Sequence, residues 1–201
     1  MVLYGASGHA KVVIEILEAN NLPIDFIVDD DVNLSELLGY QVKHNCSDFD
    51  EIIIAVGSCH DRKNIAERIY ARSYPIVSHP SAIISPRASF KEGSVIMQGA
   101  IVQSCANIGR HCIINTGASV GHDVRISDFV HVAPRATITG NVEVGECSWI
   151  GAGAIIRQGI RIGRNCMIGA GAVVVKDVPD GKTVVGNPAR EIIRKNKKSI
   201  L

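Results

Sequence analysis

Large rings are scarce in this chain, with one tryptophan, four tyrosines and four phenylalanines in 201 residues. An interior so poor in aromatics must be filled by Val, Ile and Ala, which suits many short, closely packed strands better than a helical bundle. Net charge is also lacking: 21 basic and 20 acidic residues leave a formal +1. No electrostatic footprint for a nucleic acid is expected from such a balance. No apolar run approaches the roughly 18 residues of a membrane helix, so no membrane partner is expected. Met1 leads directly into "VLYGASGHAKVVIEIL" with no basic segment before an apolar one. The expectation is therefore no signal peptide and a cytoplasmic location. The six cysteines (Cys46, Cys59, Cys105, Cys112, Cys147 and Cys166) form no CxxC pair. They read as reduced, mostly buried thiols, and no metal site is expected from them.

What the chain does have is two different periodicities. Up to residue 78, strand and helix patterns alternate. "MVLYGA" is a short apolar strand and "HAKVVIEILEAN" has apolar residues at helical spacing. "IDFIVDDD" is a second strand ending in acids, and "FDEIIIAVGS" a third, followed by the helical "HDRKNIAERIYARS". That order implies a small parallel α/β sheet with ligands at the carboxyl ends of its strands. "VSHPSA" interrupts the pattern, because a residue before proline is driven to extended backbone. The expected division is 1–78, then 79–178, with a C-terminal tail over 179–201.

From Ile84 to Val174, sixteen positions in steps of six are all aliphatic except Phe90. The position four residues further on is usually small, as at Ala88, Ser94, Ala100, Ala106, Cys112 and Ala118, with Val124 and Val130 next. A fixed six-residue period is the signature of a parallel β-helix, each unit forming one flat face of a narrow prism.

Within this repeat, "GASVGHDVRISDFVHVAP" carries His122, Asp123 and His131 at positions that face outward. A histidine beside a carboxylate is suited to general-base work, since its proton equilibrium lies near neutrality and the acid orients the ring. His131 comes nine residues later, half of an eighteen-residue coil, and so falls on a different face. The two would meet only in a cleft between neighbouring chains. The glycine-rich turn Gly5–Ala6–Ser7–Gly8–His9 can bring backbone N–H groups and a helix N-terminus to a phosphate, although it is not a full GxGxxG. Asp29 and Asp30 end the next strand, where a ribose would lie in a dinucleotide fold, so an NAD site is an alternative reading. Two "IGAGA" segments, Ile150–Ala154 and Ile168–Ala172, lie one coil apart and leave a groove of small side chains.

The hexapeptide region resembles the hexapeptide-repeat acyltransferases. With "YGASGHAKVV", "VDDD", "IIIAVGS" and the closing "VVGNPAREI", the whole chain resembles the NeuD/PglD-like sugar acetyltransferases. That resemblance implies an α/β Rossmann-like N-terminal domain followed by a left-handed parallel β-helix, assembled as a homotrimer. It implies acetyl-CoA as co-substrate, no metal, and a nucleotide-sugar acceptor for surface glycan synthesis, most specifically a UDP-4-amino sugar acetylated on nitrogen. Carried onto this sequence, it makes His122 the base and Asp123 its partner, where the family commonly has Glu. It assigns the sugar nucleotide to Ser7, Gly8, His9, Asp29, Asp30 and Gly57, and acetyl-CoA to His131, Ala152 and Ala170. Lys176 and Arg190 are further candidates for the CoA phosphates. Three other readings share parts of the pattern: an O-acetyltransferase on sialic acid or a related sugar, a carbonic-anhydrase-like hexapeptide protein using His111, His122 and His131 as metal ligands, and a nucleotide-binding scaffold with a dead site. Cys105 and Cys112 lack an activating neighbour and make poor nucleophile candidates.

Overall fold

The computed structural model of the chain describes residues 1–192; part of the expected tail, 193–201, lies outside the described residues. The fold class is the expected one. Six strands and two helices form the N-terminal unit: β1 (Val2–Tyr4), α1 (Gly8–Ala19), β2 (Phe26–Val28), β3 (Glu36–Leu37), β4 (Tyr40–Lys43), β5 (Asp48–Ile54), α2 (Cys59–Arg68) and β6 (Tyr70–Ser73). The sheet order is β3-β4-β2-β1-β5-β6, parallel throughout except for the β3–β4 hairpin. The chain winds from β1 to β2 on one side and from β5 to β6 on the other. The carboxyl ends of β1 and β5 therefore flank a topological switch point.

Two details depart from the sequence reading. The hairpin between Glu36 and Lys43 was not anticipated. The second helix stops at Arg68 rather than running through "IYARS": Ile69 is extended, and Tyr70–Ser73 pairs with the open edge of β5. An aromatic and β-branched stretch beside an unpaired strand edge takes the ladder in preference to another helical turn.

The rest is a left-handed parallel β-helix with three flat faces. Face one begins at Val77–Ser78 and passes through Val95–Ile96, Ile113–Ile114, His131–Val132, Trp149–Ile150 and Met167–Ile168 to Thr183–Val185. Face two runs from Ile83–Ile84 to Val173–Val174, and face three from Ser89–Phe90 to Arg161–Ile162. Register pairs differ by 18 residues, as in Val95 with Ile113, so three hexapeptides close one coil. The second residue of each two-residue strand points inward, and so does the small residue before the next strand: Ile114, Val120, Ile138 and Ile150 pack with Ala118, Ala136 and Ala154 in one continuous core. Cys112 and Cys166 sit at that small-residue position, buried, with each thiol directed at a carbonyl oxygen 3.1 Å away.

The α/β unit is fastened to face one. Ala10, Val13, Ile14 and Leu17 of α1 share a core with Val77, Val95, Met97 and Ile113. That contact puts the carboxyl ends of β1 and β5 over the middle coils.

Candidate active site

His122 stands at the corner between faces two and three, more than half exposed. Its Nδ1 lies 2.7 Å from Asp123 Oδ2. An ionised carboxylate only accepts, so Nδ1 carries a hydrogen, and in the neutral ring the lone pair is on Nε2. Asp123 sits at φ +59°, a left-handed position that Asp tolerates, and its main-chain N–H donates to Ser104 O of the coil below. One coil above, position 140 is glycine. A Cβ there would lie 2.5 Å from His122 Nε2, so the missing side chain makes room for the ring. Sequence reasoning overlooked Gly140, although its offset of one coil from His122 is legible in the repeat.

The glycine-rich turn and Gly57 face one another across the β1/β5 switch point. A Cβ on Gly57 would lie 4.0 Å from His9 Cβ. Gly5 adopts φ +112° with a Cβ position only 2.9 Å from Ala55 O, so only glycine fits where β1 turns into α1. Ser7 does not cap α1 with its side chain, whereas Ser58 accepts from Asp61 N at the start of α2. The first N–H groups of α1 are thus open to an anion. His9 Nε2 is buried with no hydrogen-bond partner among the described residues, and burial, reinforced by the Arg62 cation, pushes that ring down to about 4.

The two acids are less available than the sequence suggested. Asp29 spends both oxygens on backbone, accepting from Ala6 N at 2.6 Å and Asp31 N at 2.9 Å. Asp30 binds Tyr4 Oη at 2.6 Å and the Arg68 guanidinium. The Tyr4 hydrogen bond, helped by Arg68, holds Asp30 below the usual carboxylate range. They brace the loop rather than project free charges.

His131 also differs from expectation. The residue is 4% exposed, its ring packed 4.0 Å from Trp149 and 6.1 Å from His9 between centroids. Nδ1 lies 3.0 Å from Gly57 O and Nε2 2.9 Å from Asn115 Nδ2. Since the carbonyl accepts and the amide donates, the ring is the neutral Nδ1–H tautomer. Within the chain it joins the β5–α2 loop to face one, with no free nitrogen turned toward a thioester. Burial pushes its proton equilibrium down to about 3.

Ala152 and Ala170 are exposed and stacked at the corner between faces one and two, with Gly171 N donating to Ala152 O at 2.8 Å. A Cβ on Gly153 or Gly171 would meet nothing within 4 Å, so this corner is open. It is not the corner that carries His122. Lys176 and Arg190 line one cavity of about 270 Å³ with Lys182 at the end of the prism. A wider concavity of about 590 Å³ on face three, lined by Lys91, Arg110, Arg125 and Arg164 among others, includes none of the candidate site residues. His111, buried between Tyr74 and Phe129, does not join His122 and His131, and among the described residues no three His, Cys, Asp or Glu side chains cluster as a metal set would.

Residues 1–69 match the PglD N-terminal domain, and residues 141–176 match the bacterial transferase hexapeptide (six repeats). Among solved structures, perosamine N-acetyltransferase from Caulobacter crescentus, a mutant in complex with CoA and GDP-perosamine, is 34% identical over 95% of each chain, with a TM-score of 0.88. The acetyltransferase domain of PglB from Neisseria gonorrhoeae, in complex with acetyl coenzyme A, is 39% identical over 95% of this chain and 98% of its own, with a TM-score of 0.85. WeeI from Acinetobacter baumannii is 30% identical, with the same coverage and TM-score. A β-helix carrying a His–Asp pair at one corner, fused to an α/β unit with an open helix N-terminus, defines a hexapeptide-repeat acyltransferase. The chain belongs to the sugar N-acetyltransferase family of the PglD/NeuD type.

Proposed function

We propose that the protein transfers an acetyl group from acetyl-CoA to the amine of a nucleotide-activated 4-amino sugar, with His122 as general base. One observation carries this reading: the Nδ1–H of His122 is fixed on Asp123 while Nε2, beside the gap at Gly140, has no hydrogen-bond partner among the described residues. Nε2 takes a proton as the amine nitrogen attacks the thioester carbonyl and the N–C bond forms. Backbone amides stabilise the resulting oxyanion. The intermediate collapses by breaking the C–S bond, and the departing CoA sulfur receives the proton from His122. No covalent enzyme intermediate is required, because both substrates held in one cleft supply the proximity.

The sugar nucleotide enters at the open N-terminus of α1, its diphosphate on the main-chain N–H groups after Ser7 and Gly8, with His9 and Gly57 as side walls. The acyl donor lies along Ala152 and Ala170. A UDP carrier is the first choice and GDP, carried by the substrate of the Caulobacter relative, the second.

His122 and the donor groove occupy different corners of one prism, which supports a site completed by a second chain. Face two turns Ile83, Ile101, Ile155 and Val173 outward around a polar middle of Ser119 and Thr137, with Ile83 65% and Ile155 44% exposed. Such a face supports a self-associated homotrimer.

The test is thiol release from acetyl-CoA with UDP- and GDP-linked 4-amino sugars and with free sialic acid, His122→Ala run in parallel. Turnover with an amino sugar that vanishes in the variant supports the reading. Turnover with sialic acid alone moves the assignment to O-acetylation. Sedimentation of an active monomer would overturn the shared site.

A further inference from the structure

The most deeply buried charge among the described residues lies outside that mechanism. Arg62, in the first turns of α2, is 1% exposed. No carboxylate meets it among the described ion pairs. Its guanidinium donates to five carbonyl oxygens instead: Nε to His111 O at 2.8 Å, Nη1 to Val56 O at 2.8 Å, Gly57 O at 2.9 Å and Ser58 O at 3.3 Å, and Nη2 to Phe129 O at 2.8 Å. Three acceptors belong to the β5–α2 loop and two to the β-helix. A cation removed from water is tolerated only when its N–H groups are met. The planar fork of arginine offers five donors in fixed directions, which the point charge of lysine does not.

The acceptors include the wall of the proposed cleft. Gly57 O receives Arg62 Nη1 and also lies 3.0 Å from His131 Nδ1, while Gly57 itself faces His9. We infer that Arg62 is a positioning residue for the nucleotide-sugar cleft: its fork pins the Val56–Ser58 loop to the β-helix and so fixes the pocket wall beside His9 and the tautomer of His131. Arg62 touches no substrate in this scheme. The inference rests on the nucleotide-sugar reading of that cleft.

The electrostatics agree with the geometry. His131 is faced by His9 from α1, Cys59 and Arg62 from α2, and Asn115 and Trp149 from face one; of these only Arg62 is charged at neutral pH. His111 is faced by Arg62, Arg110 and Asp128. Burial first and the Arg62 cation second push His9 and His111 down to about 4. His131, also held down mainly by burial, stands at about 3.

Two variants of the full chain separate the fork from the charge. Arg62→Lys keeps the charge without the fork, and Arg62→Met keeps a linear stem with neither. In both, KM for the nucleotide sugar is expected to rise about tenfold or more while KM for acetyl-CoA stays put. The His131 ring, followed by NMR, should still resist protonation in Arg62→Lys but titrate closer to the ordinary 6.5 in Arg62→Met. A wild-type KM for the sugar in both variants, or an unchanged His131 titration in Arg62→Met, overturns the inference. Should neither variant fold, the wild-type protein decides: the Arg62 Nε–H resonance must exchange slowly with solvent and shift when nucleotide sugar is added. A fast-exchanging or unresponsive resonance overturns it. Failure of the wild-type protein to bind any nucleotide sugar would instead sink the substrate reading, leaving the clamp to be judged by exchange and tautomer.

Discussion

His122 and His131 stand nine residues apart in one repeat, both on outward positions, and their surroundings separate them completely. His122 sits at a corner where no other element covers it, its Nδ1 anchored and its Nε2 open. His131 sits under the α/β unit with both nitrogens engaged, beside Trp149 and near a buried arginine. The scaffold beneath them is the same stack of hexapeptides. What distinguishes an open imidazole from a structural joint is therefore the cover laid over the prism, not the repeat. A fold made of interchangeable units takes its chemistry from the places where something else meets it.

The strongest way to break the comparison is to remove the open ring. His122→Ala leaves the turn backbone in place, since Asn141 N donates to the carbonyl of residue 122 and not to its ring. General acid–base assistance is worth about 10²–10⁴-fold, so kcat should fall by that factor with acetyl-CoA affinity unchanged. A kcat within threefold or so of wild type would mean that the exposed histidine is not the base. Nearly as large is the effect of Gly140→Ala, whose added Cβ would stand 2.5 Å from His122 Nε2 and displace the ring. Misplacing a catalytic group by an ångström costs about 10²-fold, so kcat should drop while thermal stability and donor binding hold. An active Gly140→Ala enzyme would show that the gap has no bearing on the base.

The difference between the two histidines was only half legible beforehand. The hexapeptide period is locked into local sequence, and a phase held from Ile84 to Val174 leaves little freedom in how the prism is built. The His122–Asp123 pair was legible for the same reason, because adjacent turn positions in a fixed frame must be neighbours in space. His131 lies on an equally outward strand position, but what lies over it is decided by tertiary packing of α1 and the β5–α2 loop. Nothing in "HDRKNIAERI" marks Arg62 as a clamp, since its five acceptors come from chain segments up to 67 positions away. The carboxylates Asp29 and Asp30 were correctly located at a strand end, yet their partners Ala6, Tyr4 and Arg68 are set by the fold. The β3–β4 hairpin and β6 are short edge pieces that exist because β2 and β5 offer unpaired ladders.

Charge alone can be tested at the corner with Asp123→Asn. Asparagine accepts the left-handed φ of +59° and can still receive the Nδ1 hydrogen through its carbonyl oxygen. Only the negative charge facing the developing imidazolium disappears. A hydrogen bond to a charged group is worth about 1.5–3 kcal/mol, so kcat should fall roughly tenfold to a hundredfold. The loss should be smaller than in His122→Ala, and KM for acetyl-CoA should not move. Equal losses in the two variants would mean that the base works only as an ion pair.

The smallest effect belongs to the covered side and reads as stability rather than rate. Burial, first among the causes, pushes His9 and His111 to about 4 and His131 to about 3, against an ordinary 6.5. In the unfolded chain these rings take up protons as pH falls through 6.5, whereas the folded chain refuses them until about 4. The unfolded state then binds more protons, so stability is fully present above 6.5 and declines as pH drops toward 4. The urea midpoint should be lower at about pH 5 than at about pH 7.5. His111→Phe isolates one contribution: the ring sits 5.2 Å from Phe129 in a stacked pair and 4.8 Å from Tyr74 edge-on, and its Nδ1 has no partner among the described residues. A phenyl ring keeps the aromatic contacts and removes one titrating group, so the variant's midpoint should fall less between the two pH values. If His111→Phe shows the full wild-type decline, the ring at position 111 does not contribute to the acid sensitivity and the cover over face one is looser than its packing implies.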